Sequence, residues 1–166
     1  MPEIRFSPRR PLRVLTMNIW GFTEPYAARQ RLLRKALAKL DPDIMAFQEA
    51  GFDQGRNQVV DLLKGRGFHI VHQFELQPWP KGNNGICIAS RWPLRVAELK
   101  SLRLTKNCQR YPYGVLAVRI EAPAPVGPFL LVDAKPSWEL SRERERELQA
   151  VAIAKLVQRY APRAGF

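Results

Sequence analysis

Two short apolar runs, Leu12 to Met17 and Ile44 to Gln48, each break off on a polar residue, Asn18 and Glu49. Runs this short read as buried strands rather than helices. Between them Leu33, Ala36, Leu37 and Leu40 recur at helical spacing, after a start at Thr23-Glu24-Pro25 and before a stop at Asp41-Pro42. A strand–helix–strand opening of this kind commits the chain to stacked layers of sheet and helix.

The rest of the chain continues the alternation. A short helix is expected over Val59 to Lys64, closed by Gly65 or Gly67. Strands are expected over Phe68 to Phe74, Gly85 to Ser90, Val96 to Leu104, Gly114 to Glu121 and Phe129 to Asp133, with Asn84-Gly85 forming a tight turn. A last helix runs from Ser141, as N-cap, to Tyr160, with Leu148, Val151, Ala152 and Leu156 facing inward and Pro162 ending it. No repeat or linker divides the chain, so one domain of α/β (α+β) layered-sandwich class is expected.

Composition excludes several classes. The 166 residues are 46% hydrophobic, which suits one packed core and not a disordered chain. No apolar run reaches the ~18 residues that cross a bilayer, and no secretory signal is read at the N-terminus. Two cysteines, Cys87 and Cys108, are read as reduced thiols, which points to an intracellular, cytoplasmic protein. Charge is the unusual quantity: 27 Lys and Arg against 15 Asp and Glu give +12. Such an excess favours a polyanionic partner such as nucleic acid, a phosphorylated ligand or anionic lipid. Part of it is ordinary solvated helix surface, as in Arg29, Arg31, Arg34, Lys35 and Lys39.

Chemistry is sought at the strand ends, where a rigid backbone meets solvent. Glu49 is a hard oxygen donor suited to Mg²⁺, which takes one or two protein carboxylates and leaves its other positions to water and phosphate. Asn18 offers a neutral amide, and Asp133 and Lys135 follow a third strand. On spacing alone a loop Glu, a turn-forming Asn and a solvated Lys are the commoner readings. His69 and His72, in GFHIVHQF, read as half-buried structural histidines. Cys87 reads as core packing, whereas Cys108 lies between cations that can lower a thiol pKa. No Gly-x-Ser-x-Gly, P-loop, dinucleotide fingerprint or zinc spacing is present.

Four segments together resemble the endonuclease/exonuclease/phosphatase family of metal-dependent phosphoesterases. They are Leu12 to Gly21, with Asn18; Asp41 to Glu49, with the Gln48-Glu49 pair; Asn84 to Leu94, reading NGICIASRWPL; and Ser137-Trp138 with Arg146 and Gln149. The resemblance implies a four-layer α/β/β/α sandwich, Mg²⁺ or Mn²⁺ as cofactor, and a phosphate-bearing substrate, nucleic acid included. It places Asn18, Glu49 and Lys135 in catalysis, Glu49, Asn18 and Asp133 at the metal, and Trp20 and Asn84 at the substrate. Two departures stand out. The family's Asn-Thr-His-Leu reads Asp133-Ala134-Lys135-Pro136 here, and Lys135 cannot shuttle a proton as imidazole does near neutral pH. The family's later Gly-Asp-x-Asn and Asp-His segments have no counterpart, so residues 1–166 are expected to form the N-terminal part of such a domain and a partial sandwich. The alternative function is a non-catalytic, truncated remnant that binds nucleic acid, anionic ligands or a protein partner.

Overall fold

The computed structural model describes residues 11–79 and 84–160. In chain order it contains strand β1 (Val14–Asn18), helix α1 (Tyr26–Leu40), strand β2 (Ile44–Asp53), the two-residue strand β3 (Arg56–Asn57) and helix α2 (Gln58–Leu62). Strand β4 (His69–His72), the one-turn helix α3 (Gln73–Leu76), and strands β5 (Asn84–Ser90) and β6 (Leu94–Ser101) follow. Strands β7 (Gly114–Ile120) and β8 (Phe129–Lys135) and helix α4 (Glu143–Tyr160) complete the order.

Two sheets form. One runs β1-β2-β5-β4, with β3 paired to β2 off that path; the other runs β6-β7-β8. β1 and β2 are parallel with α1 as their connection, and the remaining pairs are antiparallel. Side-chain alternation along the strands builds three interfaces. Met45, Phe47, Cys87 and Ala89 turn outward onto Leu37 of α1 and Val59 and Leu62 of α2. Ile44, Ile86 and Ile88 turn inward onto Leu116, Val118 and Ile120 of β7. Val115 and Ala117 face the other way, onto Ala152 and Leu156 of α4. The layers are therefore helix, sheet, sheet, helix, as the resemblance implies. Burying these side chains contributes roughly 1.5–3 kcal/mol each before the entropy of ordering the chain is counted.

Local chemistry moves several expected boundaries. Asp41 ends α1 in a left-handed conformation, with its N–H on the Leu37 carbonyl. Asn84 and Gly85 do not form a tight turn, because both belong to β5 and pair with Gly51 and Ala50 of β2. β4 stops at His72 rather than Phe74 because the His72 ring caps α3: its Nδ1 accepts the Phe74 N–H at 3.0 Å, and Glu75 returns a bond to the His72 N–H. That contact fixes the tautomer, so Nε2 carries the proton and donates to the Ala50 carbonyl at 3.0 Å. His72 is fully buried and His69 exposed, so neither is the half-buried residue expected. Burial draws the His72 pKa below the ordinary imidazole value. Helix α4 begins at Glu143, one residue later than a Ser141 cap would place it.

Candidate functional site

The inter-sheet layer changes character along its length. At one end it is Ile44, Ile88, Leu131 and Val118. Following the two-residue alternation to the other end gives Asn18 on β1, Gln48 on β2, Asn84 at the start of β5, and Asp133 then Lys135 on β8. β1, β5 and β8 thus bring polar ends to one rim beside Gln48, which lies inside β2 because that strand runs on to Asp53 instead of ending before Glu49.

The contacts confirm the convergence. Gln48 Nε2 donates to Asp133 Oδ1 at 2.7 Å and to Thr16 Oγ1 at 3.1 Å, joining the two sheets. Lys135 Nζ donates to the Asn84 backbone carbonyl at 3.2 Å. Asn18 Oδ1 accepts the Trp20 N–H at 3.0 Å, a local turn that fixes the loop leaving β1. Gly21 N–H then reaches the Glu49 carbonyl at 2.7 Å. Gly21 has φ +49°, and a Cβ on it would overlap the Asn84 side chain, so glycine is required both by conformation and by space.

Glu49 owes its aim to an irregularity in β2. Pairing with β5 shifts between Phe47 and Ala50, and Glu49 has φ +52°. Met45 and Phe47 face α1, and so does Ala50. Strict alternation would have sent Glu49 into that core; the extra residue turns the half-buried carboxylate away from it instead. Lys135 feels the result. Burial lowers its pKa from the ordinary lysine value, and the Glu49 charge opposes the fall.

Asp133 is 5% exposed, its Oδ2 is buried without a hydrogen-bond partner, and burial raises its pKa to about 6. Trp20 is 52% exposed beside Asn18. Asn18, Asn84, Asp133 and Lys135 therefore lie at or near strand ends on this rim and Trp20 beside one, whereas Glu49, expected at a strand end, sits inside β2, which continues to Asp53. Gln48 was read only as the neighbour of Glu49, yet it is the residue that ties β2 to β8. Arg29 was read as helix surface, yet its Nη2 holds the carbonyls of Trp20, Gly21 and Thr23. The alternation of β2 pointed to Gln48; no local signal pointed to Arg29.

The donor set is a half-buried carboxylate, a neutral amide and the orphaned oxygen of Asp133. These hard oxygens fit a cation of Mg²⁺ type, which needs few protein ligands. Among the described residues no group of three or more His, Cys, Asp or Glu converges on a metal position. Both cysteines are buried, and Cys108 lies beneath α4 against Ser137 rather than at the rim. No helix among the described residues is long and apolar enough to cross a membrane.

Known structures share this architecture. The human Nocturnin catalytic domain with bound sulfate anion is 19% identical, with TM-score 0.68 over 90% of this chain and 58% of that one. ANGEL2, a 2',3'-cyclic phosphatase in complex with adenosine-2',3'-vanadate, is 12% identical, with TM-score 0.73 over 92% and 49%. D. rerio TDP2 complexed with single strand DNA product is 17% identical, with TM-score 0.64 over 89% and 54%. The chain spans about half the length of these structures, and their similarity is one of fold. No curated protein sequence matches it. The model of the Endonuclease/Exonuclease/phosphatase family matches residues 15–162. With that match covering most of its length, the chain belongs to the endonuclease/exonuclease/phosphatase family.

Proposed function

We propose that this protein is a divalent-metal-dependent phosphoester or phosphodiester hydrolase whose working residues are Asn18, Glu49 and Lys135, with Mg²⁺ or Mn²⁺ on Glu49 and Asn18, and Asp133 as a further oxygen. The described residues are read as one domain, corresponding to the N-terminal part of a family domain. The observation that carries the reading is a re-aimed carboxylate, Glu49, whose charge reaches a half-buried ammonium, Lys135, at the rim where β1, β5 and β8 end. Phosphate chemistry needs both: an anion that holds a hard cation, and a fixed positive charge for the phosphoryl oxygens.

A bound cation supplies Lewis-acid polarisation of the phosphoryl group. Lys135, held by the Asn84 carbonyl, neutralises a non-bridging oxygen as charge develops in the transition state. Asn18, locked by its own turn, presents its amide to the same group. Trp20 and Asn84, beside these residues, are assigned to substrate binding. Gln48 holds Asp133 in place and spans both sheets, so it positions the site without touching substrate. None of the described residues is assigned to activating the attacking water. Sulfate in Nocturnin, vanadate in ANGEL2 and a DNA product in TDP2 are all oxyanions, which supports a phosphate-bearing substrate.

The test is hydrolysis of bis(p-nitrophenyl) phosphate and of DNA by the purified chain with Mg²⁺, Mn²⁺ or EDTA, beside Glu49→Ala. Turnover that needs metal and falls at least about 100-fold in the variant is expected. Turnover equal in the two proteins, or none in either, overturns the reading and leaves a protein that binds anions without cleaving them.

A further inference from the structure

Helix α1 carries five cations, Arg29, Arg31, Arg34, Lys35 and Lys39, and no acid. Its polar face is not simply solvated surface, because two of these arginines line an open groove of about 450 Å³ between α1 and the β3–α2 segment, together with Tyr26, Arg56 and Asp61. Three guanidinium groups face one carboxylate there. Asp61 is taken by Arg56 at 2.8 Å, so Arg31 and Arg34 leave the groove with a surplus of two positive charges. Both are exposed.

Between the rim and the groove, the Trp20–Tyr26 segment carries two clusters of rings and guanidinium groups. Trp20, beside Asn18, lies 5.2 Å under Arg29. Phe22 and Tyr26 are in contact at 5.3 Å, and both lie under Arg56, at 5.0 and 5.3 Å. Positive charge interleaved with partly exposed rings suits a flexible phosphate strand, whose backbone follows the charge and whose bases stack. A duplex keeps its bases paired away from such rings, and a lipid surface has none.

We propose that the Trp20–Tyr26 segment and the α1 groove form a track for single-stranded nucleic acid, leading from the rim over Trp20 to phosphate contacts at Arg31 and Arg34. The direction of the strand rests on the phosphoesterase reading; the binding does not. Binding is therefore measured on Glu49→Ala protein, where cleavage cannot intervene, so that loss of turnover and loss of binding are separate results.

The probe is fluorescein-labelled (dT)20, with a matched 20-base-pair duplex, followed by anisotropy across a salt series. Tighter binding of the single strand is expected. Each phosphate contact contributes about 0.7 to the slope of log K against log salt on single strands, so Arg31→Ala/Arg34→Ala should shallow the slope by about 1.4. Arg31→Ala alone, which removes no hydrogen bond to the fold, should shallow it by about half that. Trp20→Ala should weaken binding about tenfold with the slope unchanged. Arg144→Ala, an exposed cation on α4 paired with Glu147, is the charge control and should change neither. Equal binding of the duplex, equal binding of anionic lipid vesicles with the same response to Arg31→Ala, or arginine variants no different from Arg144→Ala each overturn the proposal.

Discussion

Two polar clusters lie on opposite faces of β8, and they are built on different terms. Behind the strand, under α4, Gln149 is fully buried: its Oε1 accepts the Ser137 N–H at 2.9 Å, and its Nε2 donates to the Leu102 carbonyl at 2.9 Å and to Ser137 Oγ at 3.0 Å. Glu145 beside it accepts from Asn107 at 2.8 Å and from Thr105 at 3.3 Å. In front, at the rim, Asp133 keeps one oxygen unpartnered and Asn84 Oδ1 is likewise buried without a partner. A polar group left unmatched in the interior costs about 1–3 kcal/mol, so a fold retains one where something else uses it. The rear cluster holds α4 on the sheet. The front one keeps polar capacity that the proposed cation and phosphate would use, and the contrast separates two sets of side chains of similar chemistry.

The largest effect should come from the rear. Gln149→Ala strands the Ser137 N–H and should cost about 3 kcal/mol in chemical denaturation, whereas Gln48→Ala at the rim should cost about 1 kcal/mol while removing most turnover. Equal costs for the two variants would erase the distinction. Next comes Asp133. Its folded pKa, about 6, lies above the ordinary 3.8, so the stability present below the lower value is lost as pH rises through the higher one. In EDTA at pH 8, Asp133→Asn should therefore stabilise the chain by about 2–3 kcal/mol, and the gain should shrink by more than half near pH 4.5. A variant less stable than the parent at pH 8 would place Asp133 among the satisfied residues instead. Smallest is Gly21→Ala, about 1 kcal/mol in thermal melts. Its effect on turnover should exceed its effect on stability, because the new Cβ displaces Asn84 from the rim; a purely structural glycine would show the reverse.

Much of this architecture was legible beforehand. The run before Asn18 marks β1, the run before Glu49 marks only the first half of β2, and the Leu33–Leu40 spacing marks α1, because apolar periodicity records which face is buried. Asn18, Asp133 and Lys135 near strand ends followed from the same reading joined to the family resemblance, whereas the place of Glu49 inside β2 depends on the irregularity. What escaped was set by contacts distant in sequence. α3 depends on an imidazole as cap, a role usually held by Ser, Thr, Asp or Asn. β5 begins at Asn84 because β2 continues past its irregularity to meet it, which no reading of NNG as a turn discloses. Charges misled in the other direction: Arg29 looked like one of several surface cations, and only the folded loop shows it gathering three carbonyls. Of the four tryptophans, Trp92 is buried in the inter-sheet core, while Trp20 and Trp138 are more than half exposed.

The irregularity at Gln48-Glu49 also divides β2 in what it encodes. A one-residue slip in a regular strand exchanges its two faces. Here the slip is built in, so residues up to Phe47 and those from Ala50 onward each serve the helix-facing core in separate registers. Gln48 keeps the inter-sheet register of Ile44 and Ala46, and Glu49 falls between the two registers. Substitutions on either side should be felt as folding stability, whereas one at Glu49 should alter the proposed chemistry while leaving the packing intact. The strand is one piece of backbone with two independent messages, and the carboxylate is free to change without the core having to change with it.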